Sequence, residues 1–207
     1  MAFEIDLSLR RGEALIATRF ASEAGLTALF GPSGAGKTSV LDMVAGLLRP
    51  DAGRIVVGGQ VLFDSAVGID LPPEQRRCGY VFQDYRLFPH KSVEANLLYG
   101  WRLAAPDQRW ISLPEVCDFL GIGHLLARMP RALSGGEAQR VAIGRALLSG
   151  ARCLLMDEPL SSLDAARRGE IMALIERIRD DLRLPILYVS HDRAEVERLA
   201  GRIIALD

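Results

Sequence analysis

The chain has 207 residues, 49% of them hydrophobic and 25% charged, with a formal net charge of −1; this is enough for one α/β domain with a sizeable core, and it gives no support for a general attraction to nucleic acid or to an anionic lipid surface. Three widely spaced cysteines, Cys78, Cys117 and Cys153, argue against a disulfide framework or a zinc site and suit a reducing compartment. No apolar run reaches the roughly 18 residues of a membrane span, and the acidic start at Glu4 and Asp6 does not fit a signal peptide.

In chain order, Phe3, Ile5, Leu7 and Leu9 alternate with Glu4, Asp6 and Ser8, the period of a half-buried strand. Arg10–Glu13 reads as a turn and Ala14–Thr18 as a returning antiparallel strand. Thr27–Phe30 reads as a short buried strand. It leads into Gly31-Pro32-Ser33-Gly34-Ala35-Gly36-Lys37-Thr38, which fits the phosphate-loop pattern of Gly, four residues, then Gly-Lys-Ser/Thr. A helix is predicted over Ser39–Leu48, with Val40, Leu41, Val44, Leu47 and Leu48 on one face. Strand, glycine turn and helix N-terminus together make an anion site, where backbone N–H groups and the helix dipole face the ligand. Lys37 is placed to reach the β- and γ-phosphates of a nucleotide, and the Thr38 hydroxyl to ligate Mg²⁺.

Further strands are predicted at Arg54–Val57, Gly79–Phe82, Cys153–Met156, Ile186–Val189 and Arg202–Leu206. Several are near-continuous apolar runs, as in a parallel sheet covered by helices on both faces. From about Asp84 to Gly150 the β character fades, and helical patterns lie around Val93–Leu103, Pro114–Leu120 and Glu137–Leu148. This stretch reads as a helical subdomain inserted into the α/β core. Another helix is predicted over Ala165–Leu182, capped by Asp164, its stripe of Ile171, Leu174, Ile175, Ile178 and Leu182 belonging to the core.

Four strand or helix ends carry the remaining chemistry. Asp157 and Glu158 close an apolar strand, where a carboxylate beside a phosphate loop can serve Mg²⁺ and its neighbour can polarise an attacking water as general base. Ser134, Gly135, Gly136 and Glu137 form a second anion-binding helix start, which fits a nucleotide held between two protomers. Gln83 ends another apolar strand and can offer its carbonyl oxygen to Mg²⁺ or to water. His191 ends a third, where a neutral imidazole can donate to a terminal phosphate.

These motifs, in this order, make the chain similar to the ATP-binding subunit of ABC transporters over essentially its whole length. The Walker A loop is Gly31–Thr38 with Ser39 next to it, the Q-loop centres on Gln83, the signature is Leu133–Glu137, Walker B is Cys153–Glu158, the D-loop is Ser161–Asp164 and the switch histidine is His191. The resemblance implies one nucleotide-binding domain over residues 1–207: a P-loop NTPase core of α/β class with a mixed sheet, N-terminal antiparallel strands and the helical insertion. It implies a head-to-tail homodimer with ATP and Mg²⁺ between one protomer's Walker A and the other's signature, and Asp164 linking the two sites. It also implies an integral-membrane permease partner, a periplasmic solute-binding protein acting indirectly, and a peripheral place on the cytoplasmic face of the inner membrane.

Arg76–His90, Gly31–Ser39, Val141–Leu148 and Leu187–His191 resemble the molybdate-import branch of that family in particular, and molybdate uptake is the expected use. Other solutes, such as sulfate or a metal complex, stay open. Repair and chromosome-structure ATPases share the signature but carry long heptad coiled coils between their motifs, and this chain has none. Soluble ABC proteins of translation usually hold two nucleotide domains in a chain, where this one holds one. Many relatives stack an aromatic residue on adenine near the first hairpin; here the position falls near Arg11, with Arg10 adjacent, and a guanidinium plane can stack on a base. Fuller members of the branch continue into a C-terminal regulatory β domain; this sequence stops at Asp207, as a naturally short or a truncated form, and no anion sensing is assigned to it. Arg86-Leu87-Phe88-Pro89-His90 is expected to face the permease.

Overall fold

The structure is a computed structural model and describes residues 1–206. Its first element, β1 (Phe3–Arg11), turns back at Gly12-Glu13 into β2 (Ala14–Ser22), a longer hairpin than the sequence pattern shows. The turn takes two residues rather than four, because Arg10 and Arg11 stay in the ladder opposite Leu15 and Ala14. Then follow β3 (Leu26–Phe30), α1 (Lys37–Ala45), β4 (Ala52–Val57), β5 (Gln60–Asp64), β6 (Ile69–Asp70), a single turn α2 (Pro73–Arg76), and β7 (Cys78–Val81). The helical stretch holds α3 (Val93–Leu103), α4 (Leu113–Leu120) and α5 (Gly135–Leu148). The chain closes with β8 (Cys153–Asp157), α6 (Ala165–Arg177), β9 (Ile186–Ser190), α7 (Arg193–Leu199) and β10 (Arg202–Ala205).

The antiparallel and parallel pairings are divided between two sheets. One is antiparallel in the order β2-β1-β4-β5-β6; the other is wholly parallel in the order β10-β3-β9-β8-β7. Helix α1 lies between them. Its Val40, Leu41, Met43 and Val44 pack with Phe3, Ile5, Leu7 and Phe63 of the antiparallel sheet and with Leu29, Leu155, Leu187 and Val189 of the parallel one. The other face of the parallel sheet carries Ala28, Leu154, Met156, Ile186 and Tyr188, covered by α3 to α7 through residues such as Leu97, Leu120, Val141, Ile175 and Leu199. The alternation along β8 and β9 therefore feeds two cores, which is why both strands read as unbroken apolar runs.

Helix α1 departs from its predicted bounds at both ends. It opens at Lys37, directly after Gly36, and stops at Gly46, where the N–H groups of Leu47 and Leu48 both return to the Asp42 carbonyl. Leu47 is consequently exposed instead of lying on the buried face. Helix α6 also ends early, at Arg177, and the chain continues through a π turn over Ile178–Leu182. The stripe of Ile171, Leu174, Ile175 and Ile178 is buried as expected. Ser112 and Ser134 each form a capping box, with Glu115 and Glu137, at the starts of α4 and α5. Among the described residues, no helix is long and apolar enough to cross a membrane.

Candidate functional site

The site is assembled at the carboxyl edge of the parallel sheet, where β3, β9 and β8 lie side by side. From β3 the chain enters the Gly31–Thr38 loop. A Cβ on Gly31 would stand 2.1 Å from the backbone oxygen of Leu206, so only glycine allows the loop to pass the end of the chain's last strand. Gly36 has φ of 83° and lies under Ile16 of β2, whose side chain would be 3.0 Å from an added Cβ. The loop thus wraps tightly, with the first turn of α1 opening into it.

Lys37 is buried, and its ammonium donates to the carbonyls of Gly31 at 2.8 Å and Pro32 at 2.7 Å. Among the described residues it has no salt-bridge partner. A buried cation held only by neutral carbonyls of its own loop is matched to an anion seated there. The Thr38 hydroxyl donates to Asp157 Oδ1 at 3.0 Å, across from the end of β8. Asp157 is buried, and that burial raises its carboxyl above the usual aspartate range; the Thr38 hydrogen bond pulls it down, while the charges of Glu158 and Asp42 add to the rise. A hydroxyl and a carboxylate side by side are hard oxygen donors of the kind Mg²⁺ takes alongside phosphate oxygens. No group of three His, Cys, Asp or Glu side chains among the described residues could hold a metal by itself.

Glu158 follows in a left-handed conformation, φ 43°, with its N–H bound to the carbonyl of Val189 on β9. That twist, uncommon for a residue with a side chain, turns the carboxylate toward His191, and Glu158 Oε1 lies 3.0 Å from His191 Nδ1. A carboxylate only accepts, so Nδ1 carries the hydrogen. The neutral ring then presents Nε2 as an acceptor, and donation from Nε2 to a phosphate requires the imidazolium. This amends the sequence-based picture of a neutral donor.

The other expected residues are placed but not joined to the loop. Gln83 is exposed, two positions past the end of β7, on the same sheet edge as Asp157. Ser134 caps α5, accepting from the Glu137 N–H at 3.3 Å, and Glu137 returns to the Ser134 N–H at 2.7 Å. Hydrogen bonds from the Ser134 N–H and from the Ser134 hydroxyl hold the Glu137 carboxyl below its usual range. Gly135 packs beside Leu163, Tyr85 and Ser162, and Gly136 beside Arg167. None of the hydrogen bonds found at Ser134–Glu137 reaches Gly31–Ser39. Asp164 caps α6 by accepting from the Arg167 N–H at 3.0 Å.

Several residues that tie these parts together were not singled out from the sequence. Arg145 of α5 donates to the carbonyls of Arg86 at 2.6 Å and Tyr85 at 2.9 Å, fastening the segment after Gln83 to the helix that begins at Ser134. Tyr85 Oη meets Ser162 Oγ at 2.7 Å. Asn96, fully buried, donates to the carbonyls of Phe88, Lys91 and Ser92 and accepts from the Phe88 N–H. Long, flexible side chains that bridge to distant backbone leave no periodic or motif signal. An apolar groove of about 390 Å³ opens alongside, lined in part by Tyr80, Phe82, Arg86, Phe88 and Tyr99. Arg86 lies 4.1 Å over the Phe82 ring, and Phe88 packs 4.6 Å from Tyr99. Leu87 is packed on the core rather than presented to solvent.

The hairpin also separates Arg10 from Arg11. Arg11 pairs with Ala14 and shares the face of Leu9 and Ile16, which overhangs Gly36; Arg10 pairs with Leu15 on the opposite face.

The architecture and the phosphate-loop geometry define an ATP-binding-cassette protein. The chain belongs to the ABC transporter family, whose model matches residues 20–161. It is 54% identical over 206 residues to the molybdenum import ATP-binding protein ModC of Mesorhizobium japonicum, covering 100% of this chain and 56% of that one. With the ModC of Brucella melitensis the identity is 60% over 197 residues, 95% of this chain and 55% of that protein. The chain therefore spans about half the length of these curated relatives. Among solved structures it resembles cbiO1 of Clostridium perfringens, part of the ABC transporter complex cbiONQ, with a TM-score of 0.82 and 25% identity over 99% of this chain and 84% of that one. It also shares the fold of the ATP-binding cassette MJ0796, solved as a dimer bound to ADP and Pi, with a TM-score of 0.78 and 24% identity over 99% and 92% of the two chains.

Proposed function

We propose that this chain is the ATP-hydrolysing subunit of an importer for an oxyanion, molybdate, and that it works as a head-to-tail homodimer at the cytoplasmic face of the membrane. The observation that carries the catalytic part is the buried Lys37 ammonium, bonded to nothing but loop carbonyls, with Thr38–Asp157 and Glu158–His191 at neighbouring strand ends. The solute is supported by the identity to molybdenum import proteins.

In this reading residues 1–207 are one nucleotide-binding domain, and about 84–150 its helical subdomain. Gly31–Ser39 holds the phosphates, with Lys37 exchanging its loop carbonyls for β- and γ-oxygens. Thr38 and Asp157, with Gln83 on the same edge, hold Mg²⁺, which when bound offsets charge on the terminal phosphates. Glu158 accepts a proton from water as its oxygen bonds to the γ-phosphorus and the bond to the ADP oxygen breaks. His191 holds that carboxylate in place. Ser134, Gly135, Gly136 and Glu137 serve the partner's γ-phosphate, and Asp164 sits at the seam between the sites. The groove beside Phe88 receives a permease subunit, and a periplasmic solute-binding protein delivers the ion to that permease.

Glu158→Gln tests the reading. The amide keeps the size of the carboxylate and loses its basicity, so turnover should fall by about 10²–10⁴-fold. ATP binding should survive, and an ATP-dependent dimer should accumulate on size exclusion. Near-normal hydrolysis would remove Glu158 from the role of base. Molybdate uptake restored by this chain in a strain lacking its importer ATPase tests the solute, and restored sulfate uptake alone would overturn it.

A further inference from the structure

Behind the Glu158–His191 pair lies a small polar cavity of about 80 Å³, lined by Glu158, Ser161, Arg168, Ser190, His191, Asp192 and Glu195. Glu195 is buried, on α7, and takes no part in the chemistry above. Its Oε2 accepts two hydroxyls, from Tyr188 at 2.9 Å and Ser190 at 2.8 Å, both on β9. The same Ser190 Oγ accepts the N–H of Asp192, and Asp192 caps α7 through the N–H groups of Ala194 and Glu195. His191 is therefore the one residue between two anchored neighbours. Its backbone is pinned on either side by a network centred on Glu195.

Among the described residues, Arg168 links that network to the helix following Ser161–Asp164, and farther along α7 Arg198 pairs with Glu176 of the same helix. Arg168, one turn into α6, donates to Asp192 Oδ2 at 3.2 Å and places its Nε 3.8 Å from Glu195 Oε1. The Arg168 Nε is buried and has no hydrogen-bond acceptor. A buried guanidinium N–H aimed at a buried carboxylate, just outside hydrogen-bond range, is a contact with room to tighten. A movement of α6 toward α7 of about 0.8 Å would bring it to an ordinary hydrogen-bond distance. Asp164 caps the same helix, so displacement of Ser161–Asp164 is carried to Arg168 by the first turn of α6.

We propose that Arg168 and Glu195 are positioning residues that couple Ser161–Asp164 to His191. Seating of Ser161–Asp164 against a partner closes the Arg168–Glu195 contact, and that contact fixes Ser190–Asp192 so that His191 holds Glu158 in line. The proposal rests on the function proposed above. Neither residue touches the reacting atoms, and their effect falls on the rate of the chemical step rather than on nucleotide affinity.

Glu195→Gln separates the parts, because its amide oxygen can still accept from Tyr188 and Ser190 while the charge facing Arg168 is gone. Steady-state hydrolysis by the full chain should show kcat lowered on the order of ten- to a hundredfold in both Glu195→Gln and Arg168→Gln, with KM within about twofold of the parent. The double variant should be no slower than the poorer single one, and Arg168→Lys should recover part of the loss. Thermal unfolding of the parent and the four variants accompanies the assay, so a loss of folded protein is read separately. Unchanged kcat in folded Glu195→Gln, or losses that multiply in the double variant, would overturn the coupling. A parent chain that fails to hydrolyse ATP would sink the underlying reading; the contact is then judged from the unfolding midpoints alone, where additive shifts refute it and non-additive shifts sustain it.

Discussion

Replacing Asp157 by Asn should make the nucleotide-free protein more stable and the nucleotide-loaded protein less so. In the free chain the Asp157 carboxylate is buried at the end of β8, accepts one hydrogen bond from Thr38, and faces like charges on Glu158 and Asp42. Asn keeps an oxygen for Thr38 and removes the charge. A buried polar group short of partners costs about 1–3 kcal/mol in mutational series, and in a chain of this size each kcal/mol moves the melting point by about 2–4 °C. Scanning calorimetry at neutral pH without ligand should therefore place Asp157→Asn roughly 2–12 °C above the parent.

The pH dependence has a definite sign. The folded carboxyl titrates above its unfolded value, so its contribution to stability is fully present below the ordinary aspartate value of about 4 and is lost as pH rises through the raised folded value. The gap between the two proteins should close on acidification toward pH 4. With Mg²⁺ and ATP at saturating concentration the order should invert, since a ligand at a thousand times its Kd stabilises the parent by about 4.1 kcal/mol and the variant lacks the charge that holds the ion. A lower ligand-free melting point in Asp157→Asn would refute the reasoning, because it would make the carboxylate a structural support rather than a charge held for a cation.

Lys37→Ala should weaken ATP binding by about 1.5–3 kcal/mol, the worth of a charge-assisted hydrogen bond, and titration calorimetry finding unchanged affinity would remove the loop from its role. Arg11→Ala should raise the Kd for ATP by about 0.5–2 kcal/mol if its guanidinium stacks on the base, while Arg10→Ala, on the opposite face of the hairpin, should leave it alone; equal effects would undo the assignment. Asn96→Ala leaves the Phe88 N–H and the Lys91 carbonyl without the partner that Asn96 supplies, while the Phe88 carbonyl keeps the Lys91 N–H. It should lower stability by about 2–4 kcal/mol in denaturant titrations and blunt stimulation of hydrolysis by a permease, with ATP affinity unaltered.

The central strands were legible because their residues face two cores and leave unbroken apolar runs, and α5 because Ser134 and Glu137 announce its start. Strands β5 and β6 and helix α7 escaped. Gln60–Asp64 alternates poorly, with Leu62 and Phe63 both buried in succession, and β6 has two exposed residues. Helix α7 has seven residues and two buried apolar positions, too few for a period. At the site, the motif residues could be named from spacing, but not the left-handed turn at Glu158 or the tautomer it imposes on His191. Nor could Arg168 and Glu195 be found, since their meaning lies in a contact between α6 and α7 that no local pattern encodes.

Register explains why so small a set of residues suffices. In the parallel sheet Asp157 stands opposite Val189, and Met156 opposite both Tyr188 and Val81. The residues that follow these strands, Glu158, His191 and Phe82–Gln83, therefore emerge at one level beside the Gly31–Thr38 loop, which leaves β3 opposite Ser190. A slip of one residue in β8 would exchange the faces of Leu154 and Leu155 and unpack both cores. The packing that makes those strands unreadable as anything but core thus also holds Asp157, Glu158 and His191 at a common edge. Placement of Glu158 against His191 to within a hydrogen bond is a consequence of burying Leu155, Leu187 and Val189 beneath α1, and substitutions in that buried layer should act on turnover through position before they act on stability.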